Sequence, residues 1–147
     1  MNKTTWSLVT AIITFLIFVS NAGAHCQIPC GIYDDQLRAN LIAEHATTIE
    51  KSMQQIIDLG KASPVNYNQL VRWVSNKELH ATKIQEIVSE YFLTQRIKPG
   101  QEKYNEKLAV LHKMLVAAMK CKQTTDVSNV KNLRGYLKEF EVLYFGH

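Results

Sequence analysis

Four amphipathic segments constrain the fold of this chain more than any other feature. In each segment apolar side chains recur every three or four residues, which is the spacing of one face of an α-helix. The segments cover about residues 34–59, 66–95, 101–120 and 127–145. Short connections separate them, and two of these contain the helix breakers Ser63-Pro64 and Lys98-Pro99-Gly100. The pattern predicts an all-α protein in which residues 34–147 form an antiparallel four-helix bundle.

Local signals indicate where the helices begin and end. Asp34 or Asp35 is a suitable N-cap for the first helix, and Gly60 is suited to its C-terminus. Asn66, with Gln69 three residues later, resembles a capping box at the start of the second helix. Gly135 lies inside the fourth helix, where glycine costs about 1 kcal/mol relative to alanine. We therefore expect a close helix contact at Gly135.

Residues 1–24 have the composition of a cleavable export signal. Lys3 gives a positive start, Leu8–Val19 is almost entirely apolar, and Ala22-Gly23-Ala24 is a typical small-residue cleavage site. The apolar run is shorter than a usual membrane span, although an uncleaved anchor is the alternative. We expect a mature protein of 123 residues, periplasmic or extracellular and no longer attached to a membrane.

Charge excludes one class of partner. The net charge is +4, and one of these positive charges belongs to the predicted leader, so the mature chain carries +3. No long basic run is present, and we expect no nucleic-acid partner. A mildly positive balance is compatible with a small anionic substrate.

The stretch from His25 to Tyr33 reads HCQIPCGIY and would form the mature N-terminus. Cleavage before His25 frees an amine, which has a pKa of about 8 and binds metal once deprotonated. His25 then offers an amine and an imidazole, Cys26 a thiolate and its backbone amide nitrogen, and Cys30 a second thiolate. Pro29 restricts the backbone of this loop. Residues 25–33 are therefore predicted to form a metal-binding hook.

The donor set indicates which metal the hook would take. Amine, amide nitrogen and two thiolates make a plane, with the imidazole available as an axial ligand. Such a set suits Ni(II) or Cu(II) better than tetrahedral zinc. A disulfide between Cys26 and Cys30 is the alternative, since exported chains favour disulfides. Cys121 is expected to be a free or partly buried thiol and not a ligand.

The hook resembles that of a known family. HCQIPCGIY matches every fixed position of H-C-x-x-P-C-x-x-Y, the N-terminal nickel hook of the nickel superoxide dismutases. Ser89-Glu90-Tyr91-Phe92, and the helices that follow through Phe140–Phe145, are similar to the later part of that family. The resemblance covers most of the predicted mature chain and is strongest within the hook.

The resemblance implies an enzyme that converts superoxide to oxygen and hydrogen peroxide by one-electron Ni(II)/Ni(III) cycling. It implies one nickel ion per subunit, held by His25, Cys26 and Cys30, in a homohexamer. It also implies that Tyr33 guards the approach of substrate and that Tyr91 is a second tyrosine near the site. The alternatives are a packing role for Tyr33 and an ordinary core position for Tyr91.

The sequence departs from the family around the imidazole. The family typically has a glutamate and an arginine beside the axial histidine. An ungapped count places Leu41 at the glutamate position, and Glu44 lies one turn away on the same face. The count places Asn76 at the arginine position, with Arg72 and Lys77 nearby. The partners of the His25 imidazole therefore stay undetermined by the sequence.

The four remaining histidines are His45, His80, His112 and His147, and no two are four residues apart. We interpret them as surface or core residues and not as a second metal site, with slightly more weight on His45 because it follows Glu44. Two other functions use the same features: a module that binds nickel or copper without turnover, and a helical interaction domain with a disulfide in place of the metal.

Overall fold

The computed structural model describes Trp6 and residues 34–146, and the helices lie within one compact unit. Helix α1 spans Asp35–Lys61, and α2 spans Tyr67–Glu86 and continues directly as a π-helical segment over Ile87–Arg96. Helix α3 spans Tyr104–Gln123 and α4 spans Ser128–Phe145. These described residues contain no strand, which confirms the predicted all-α class.

Side-chain contacts show that neighbouring helices run antiparallel. Asp35, at the start of α1, contacts Tyr91, and His45, further along α1, contacts the earlier residue His80. Helix α2 and its π-helical continuation therefore run antiparallel to α1. Asp35 also meets Tyr144 at the end of α4. The predicted antiparallel four-helix bundle is confirmed for residues 34–146, although several helix boundaries shift, most of all those of the third helix.

The caps explain why two helices begin where they do. The Asp34 carboxylate accepts hydrogen bonds from the amides of Gln36 and Leu37, at 2.8 and 3.3 Å. The Asn66 side chain accepts one from the amide of Gln69 at 3.2 Å. Both caps were predicted, and each satisfies helix N–H groups that have no intrahelical partner.

Helix α3 begins three residues later than predicted. Gly100 has a φ of 86°, and Lys103 is left-handed with a φ of 54°, so residues 98–103 form turns before the helix starts at Tyr104. Helix α1 ends at Lys61, beyond the predicted stop at Gly60. The expected close contact at Gly135 is wrong, because a side-chain carbon built there meets no atom within 4 Å.

The core is apolar and continuous through all four helices. Burying each large side chain contributes about 1.5–3 kcal/mol relative to leaving it exposed. Leu37 and Val74 fit the apolar spacing of the first and second helices, which predicts that they are buried, but Leu37 is 50% exposed and Val74 is 38% exposed. No described helix has the length and apolar character to cross a membrane. The largest fully buried side chains are Phe92, Phe140, Ile42, Ile49, Met53, Ile84, Leu111, Met114 and Leu133.

Candidate functional site

Most of the predicted site residues lie outside the described part of the chain. His25, Cys26, Cys30 and Tyr33 belong to residues 7–33, so their role as ligands or gate stays a prediction. Tyr91 is described, and it lies against Asp35, only two residues beyond Tyr33 in the chain. The described residues around Asp35 are therefore those closest in sequence to the predicted hook.

Four polar side chains meet at the start of α1, and we call them the Asp35 clamp: Asp35, Tyr91, Arg96 and Tyr144. The Tyr91 hydroxyl donates to Asp35 Oδ1, and the Tyr144 hydroxyl donates to Oδ2 at 2.8 Å. Arg96 donates through Nε to Asp35 Oδ1 at 2.8 Å and through a terminal nitrogen to the Tyr91 hydroxyl at 2.8 Å. The clamp joins the first turn of α1 to the ends of α2 and α4.

The π-helical segment explains how Tyr91 and Arg96 reach the same carboxylate. In an α-helix, residues five apart point roughly 140° away from each other. In a π-helix, whose hydrogen bonds run from i to i+5, the turn is wider and such residues lie on the same side of the helix. The segment Ile87–Arg96 has this geometry, and the Arg96 guanidinium carbon lies 4.7 Å from the centre of the Tyr91 ring. The change in helix type therefore brings Arg96 into the clamp.

Two cations flank the Tyr91 ring. The guanidinium carbon of Arg38 lies 5.2 Å from the ring centre, and Arg96 approaches it as described above. Tyr91 is only 5% exposed, so its aromatic ring packs in the core while its hydroxyl reaches the Asp35 carboxylate. Tyr91 thus occupies a core position, and its role as a second tyrosine near the nickel site stays a prediction.

The clamp shifts the protonation of its members. Burial alone would raise the pKa of Asp35, but hydrogen bonds from Tyr91 and Tyr144 and the charge of Arg96 outweigh it and lower that pKa. Burial and the bond to Asp35 raise the pKa of Tyr91, and the same causes raise the pKa of Tyr144. At neutral pH the clamp therefore holds an ionised carboxylate between two neutral phenols and a guanidinium.

The residues considered as partners for the predicted imidazole have other environments. Lys77 is buried, and its ammonium group donates to the backbone carbonyl oxygens of Cys121 at 2.7 Å, of Lys122, and of Thr124 at 3.4 Å. It thereby binds the carbonyl end of α3. Asn76 donates to the Ser52 hydroxyl at 3.0 Å.

The remaining candidates lie at the surface or between it and the core. Arg72 and Glu44 are exposed, and Leu41 is half-buried. Cys121 is a free thiol, as expected, but it is fully buried, and burial raises its pKa to about 11. That thiol is therefore protonated at neutral pH and unsuited to bind metal.

Two histidines that the sequence left separate form a pair. His45 Nδ1 and His80 Nδ1 lie 3.0 Å apart across the interface of α1 and α2. Burial, the other histidine and Lys83 lower the pKa of His45, and burial and Lys83 lower the pKa of His80. Nowhere in residues 34–146 do three or more histidine, cysteine, aspartate or glutamate side chains group to hold a metal ion.

Comparison with known proteins identifies one family. The model of a family described as nickel-containing superoxide dismutase matches residues 20–147. The match includes the predicted hook and all four helices, and covers well over half of the chain. No curated protein and no solved structure matches the chain.

Proposed function

The chain belongs to the nickel-containing superoxide dismutase family, and on that premise we propose that His25, Cys26 and Cys30 hold its nickel ion. The protein is an oxidoreductase that acts on superoxide, and nickel is its cofactor. The observation that carries the assignment is the family match over residues 20–147. The residue-level proposal adds which side chains of this sequence do the work.

The donor chemistry of residues 25–33 fits nickel. Two thiolates and a deprotonated amide are electron-rich and favour the higher oxidation state, whereas a set of imidazoles and carboxylates would not. When bound, nickel supplies one-electron chemistry between Ni(II) and Ni(III), one ion per subunit. His25 contributes its free amine and its imidazole, and Cys26 and Cys30 contribute thiolates that need protection from oxidation before the metal loads.

The Asp35 clamp supports a positioning role at the base of the hook. Asp35 follows Tyr33 by two residues, and its carboxylate is held by Tyr91, Arg96 and Tyr144. We propose that the clamp helps in this way to position Tyr33, the residue that we propose to guard substrate approach. Tyr91 then acts through Asp35 and not as a proton source, because its O–H is already donated to the carboxylate and its pKa is raised.

The charge around the start of α1 is balanced. Arg38 and Arg96 lie beside Tyr91, and the carboxylates of Asp34 and Asp35 lie at the N-terminus of the same helix. The attraction of a small anion such as superoxide therefore rests on the mildly positive charge of the whole chain.

Export and assembly complete the proposal. Cleavage after Ala24 would release a periplasmic or extracellular protein that begins with His25. The number six in the proposed homohexamer rests on the family resemblance, and association of copies is supported by the apolar side chains that α2 leaves at the surface, since Tyr67 is 71% exposed and Val71 is 62% exposed. Neighbouring subunits would also exclude water from a hook that has no core of its own.

Inserting one glycine between Ala24 and His25 tests the assignment. The insertion moves the free amine away from the imidazole, and we expect superoxide turnover to be lost. The exported parent and variant should be compared by intact mass, nickel content and superoxide consumption. A variant with full activity would refute the role of the His25 amine.

Measurements on the unaltered protein distinguish superoxide dismutation from the two other candidate functions, metal binding without turnover and helical interaction. Tight anaerobic nickel binding without turnover would indicate a binding module. Thiol counting after metal removal tests for the helical interaction domain with a disulfide. A metal hook leaves the thiols of Cys26 and Cys30 free, whereas a structural disulfide leaves neither free.

A further inference from the structure

The facing histidines of α1 and α2 bring two ring nitrogens within bonding distance of one ligand. Their Nδ1 atoms are 3.0 Å apart, and the rings meet edge to face with centroids 4.9 Å apart. Two bare lone pairs at that distance repel, so either one ring donates its N–H to the lone pair of the other or a metal ion lies between the two nitrogens. His45 is 8% exposed and His80 is half-buried, so the pair is open to solvent on the side of His80.

We propose that His45 and His80 form a second transition-metal site, separate from the hook, that takes Cu(II) or Ni(II). Imidazole is a ligand that both ions accept readily. Both histidines have a lowered pKa, so at neutral pH each ring is uncharged and has a lone pair to donate.

The separation of the nitrogens discriminates among metals. With metal–nitrogen distances of about 2.0–2.1 Å, a spacing of 3.0 Å gives an angle of roughly 90–97° at the metal. A tetrahedral ion would need the nitrogens roughly 3.3–3.4 Å apart. The spacing therefore fits adjacent positions of a square or octahedral ion, and it fits Cu(II) or Ni(II) better than zinc.

The residues around the histidine pair supply one negative charge and leave further coordination positions of the metal open. Glu44 precedes His45 in α1, is exposed, and acts electrostatically on both histidines in the direction that favours positive charge. Lys83 acts in the opposite direction. Because no third side chain of the described helices completes the set, water would occupy the other positions, as in an exchangeable site.

Copper titration of a chain without the hook ligands tests the site independently of the proposed function. In this experiment the parent is not the unaltered protein but the full chain that carries His25→Ala, Cys26→Ser and Cys30→Ser. We expect one equivalent of Cu(II) to bind with nitrogen hyperfine structure in its electron paramagnetic resonance spectrum. Removing a residue that only hydrogen-bonds to a metal ligand costs about 10–100-fold in metal affinity. Because His45 and His80 are the proposed ligands themselves, His45→Gln or His80→Gln should lower the Cu(II) affinity at least about tenfold.

His112→Gln is the matched control, because His112 is exposed on α3. It should leave the Cu(II) affinity of the parent unchanged. Far-UV circular dichroism should confirm that each variant keeps its helices, and His80→Gln is the gentler change because His80 is only half-buried. The absence of a nitrogen-ligated equivalent in the folded parent would overturn the site and leave a shared proton between the rings. Equal affinities in all three variants would also overturn it.

Discussion

The Tyr91 hydroxyl donates a hydrogen bond to the carboxylate of Asp35 across 56 residues of sequence. This bond joins the π-helical segment to the first turn of α1, two residues after the predicted gate Tyr33. It makes the geometry of the first turn of α1 depend on a residue of the π-helical segment that follows α2.

Tyr91→Phe removes this bond and keeps the ring in the core. A hydrogen bond to a charged group contributes about 1.5–3 kcal/mol, so we expect the free energy of unfolding to fall by about 2 kcal/mol. Superoxide turnover should fall while nickel content is retained, because the loss acts on the position of the hook. Urea denaturation and metal analysis measure these effects.

The matched control for Tyr91→Phe is Tyr136→Phe. Tyr136 is a half-buried tyrosine of α4 whose hydroxyl makes no hydrogen bond within the described residues. We expect that change to leave turnover unaltered. Equal losses in both variants would show that the bond to Asp35 has no special role.

Arg96→Lys should weaken the clamp although it keeps the charge. The guanidinium of Arg96 donates to Asp35 and to Tyr91 at once, and a lysine ammonium does not match this planar fork. We expect a loss of about 1 kcal/mol in the free energy of unfolding, measured in urea.

Arg134→Lys makes the same change at a more exposed ion pair, Arg134 with Glu50. A surface pair of this kind contributes only about 0–1 kcal/mol. We therefore expect a smaller effect than at Arg96. A cost at Arg134 as large as at Arg96 would contradict the clamp.

Lys77→Met tests the buried ammonium that binds the end of α3. The side chain is 5% exposed and donates to backbone carbonyl oxygens of Cys121, Lys122 and Thr124. Methionine keeps the length but leaves these carbonyls without the donor, so we expect a loss of about 2–3 kcal/mol. Hydrogen exchange should speed up at the C-terminus of α3.

Lys113→Met is the control for Lys77→Met. Lys113 is 47% exposed and pairs with Glu139 at the surface. We expect it to change stability by less than about 1 kcal/mol. A similar loss at both positions would mean that the carbonyl contacts of Lys77 contribute little.

Asp35→Asn should alter the acid dependence of stability. The pKa of Asp35 is lowered below its ordinary value of 3.8, so the unfolded chain takes up the proton first as the pH falls. The stabilisation from the carboxylate is thus fully present well above pH 3.8 and is lost as the pH falls below it. The difference in unfolding free energy between parent and variant should therefore be largest near neutrality and shrink towards about pH 2.

Urea denaturation at a series of pH values measures the acid dependence. The same substitution at Asp58, exposed near the end of α1, is the control and should shift stability little at any pH. A parent–variant difference at Asp35 that stays constant with pH would contradict the lowered pKa.

The sequence predicts the helices well because their signals are local. Apolar spacing and the Asp34 and Asn66 caps depend on residues within one or two turns, and all four helices appear where this spacing places them. Leu37 fits the periodic pattern but lies outside the core, because the pattern alone does not say how wide the buried face is. Gly135 is similar: a glycine in a helix marks a close contact only when a neighbour is present.

The contacts that build the clamp and the histidine pair could not be read from the sequence. Tyr91 and Arg96 are five residues apart, a spacing that brings side chains together only in a π-helix, and periodicity does not distinguish a π-helix from an α-helix. His45 and His80 meet because of the register between two helices, which depends on packing along their whole length. The proposed ligands His25, Cys26 and Cys30 show the reverse case, because a local motif and a free amine define them without any fold.

The contact between Asp35 and Tyr144 has a practical consequence for labelling. It places the start of α1 and the end of α4 at the same end of the bundle. A fluorophore or spin label attached just after Gly146 would therefore start close to Asp35, because the two helix ends are distant in sequence but neighbours in space. It would thus report on the first turn of α1 without altering any proposed ligand.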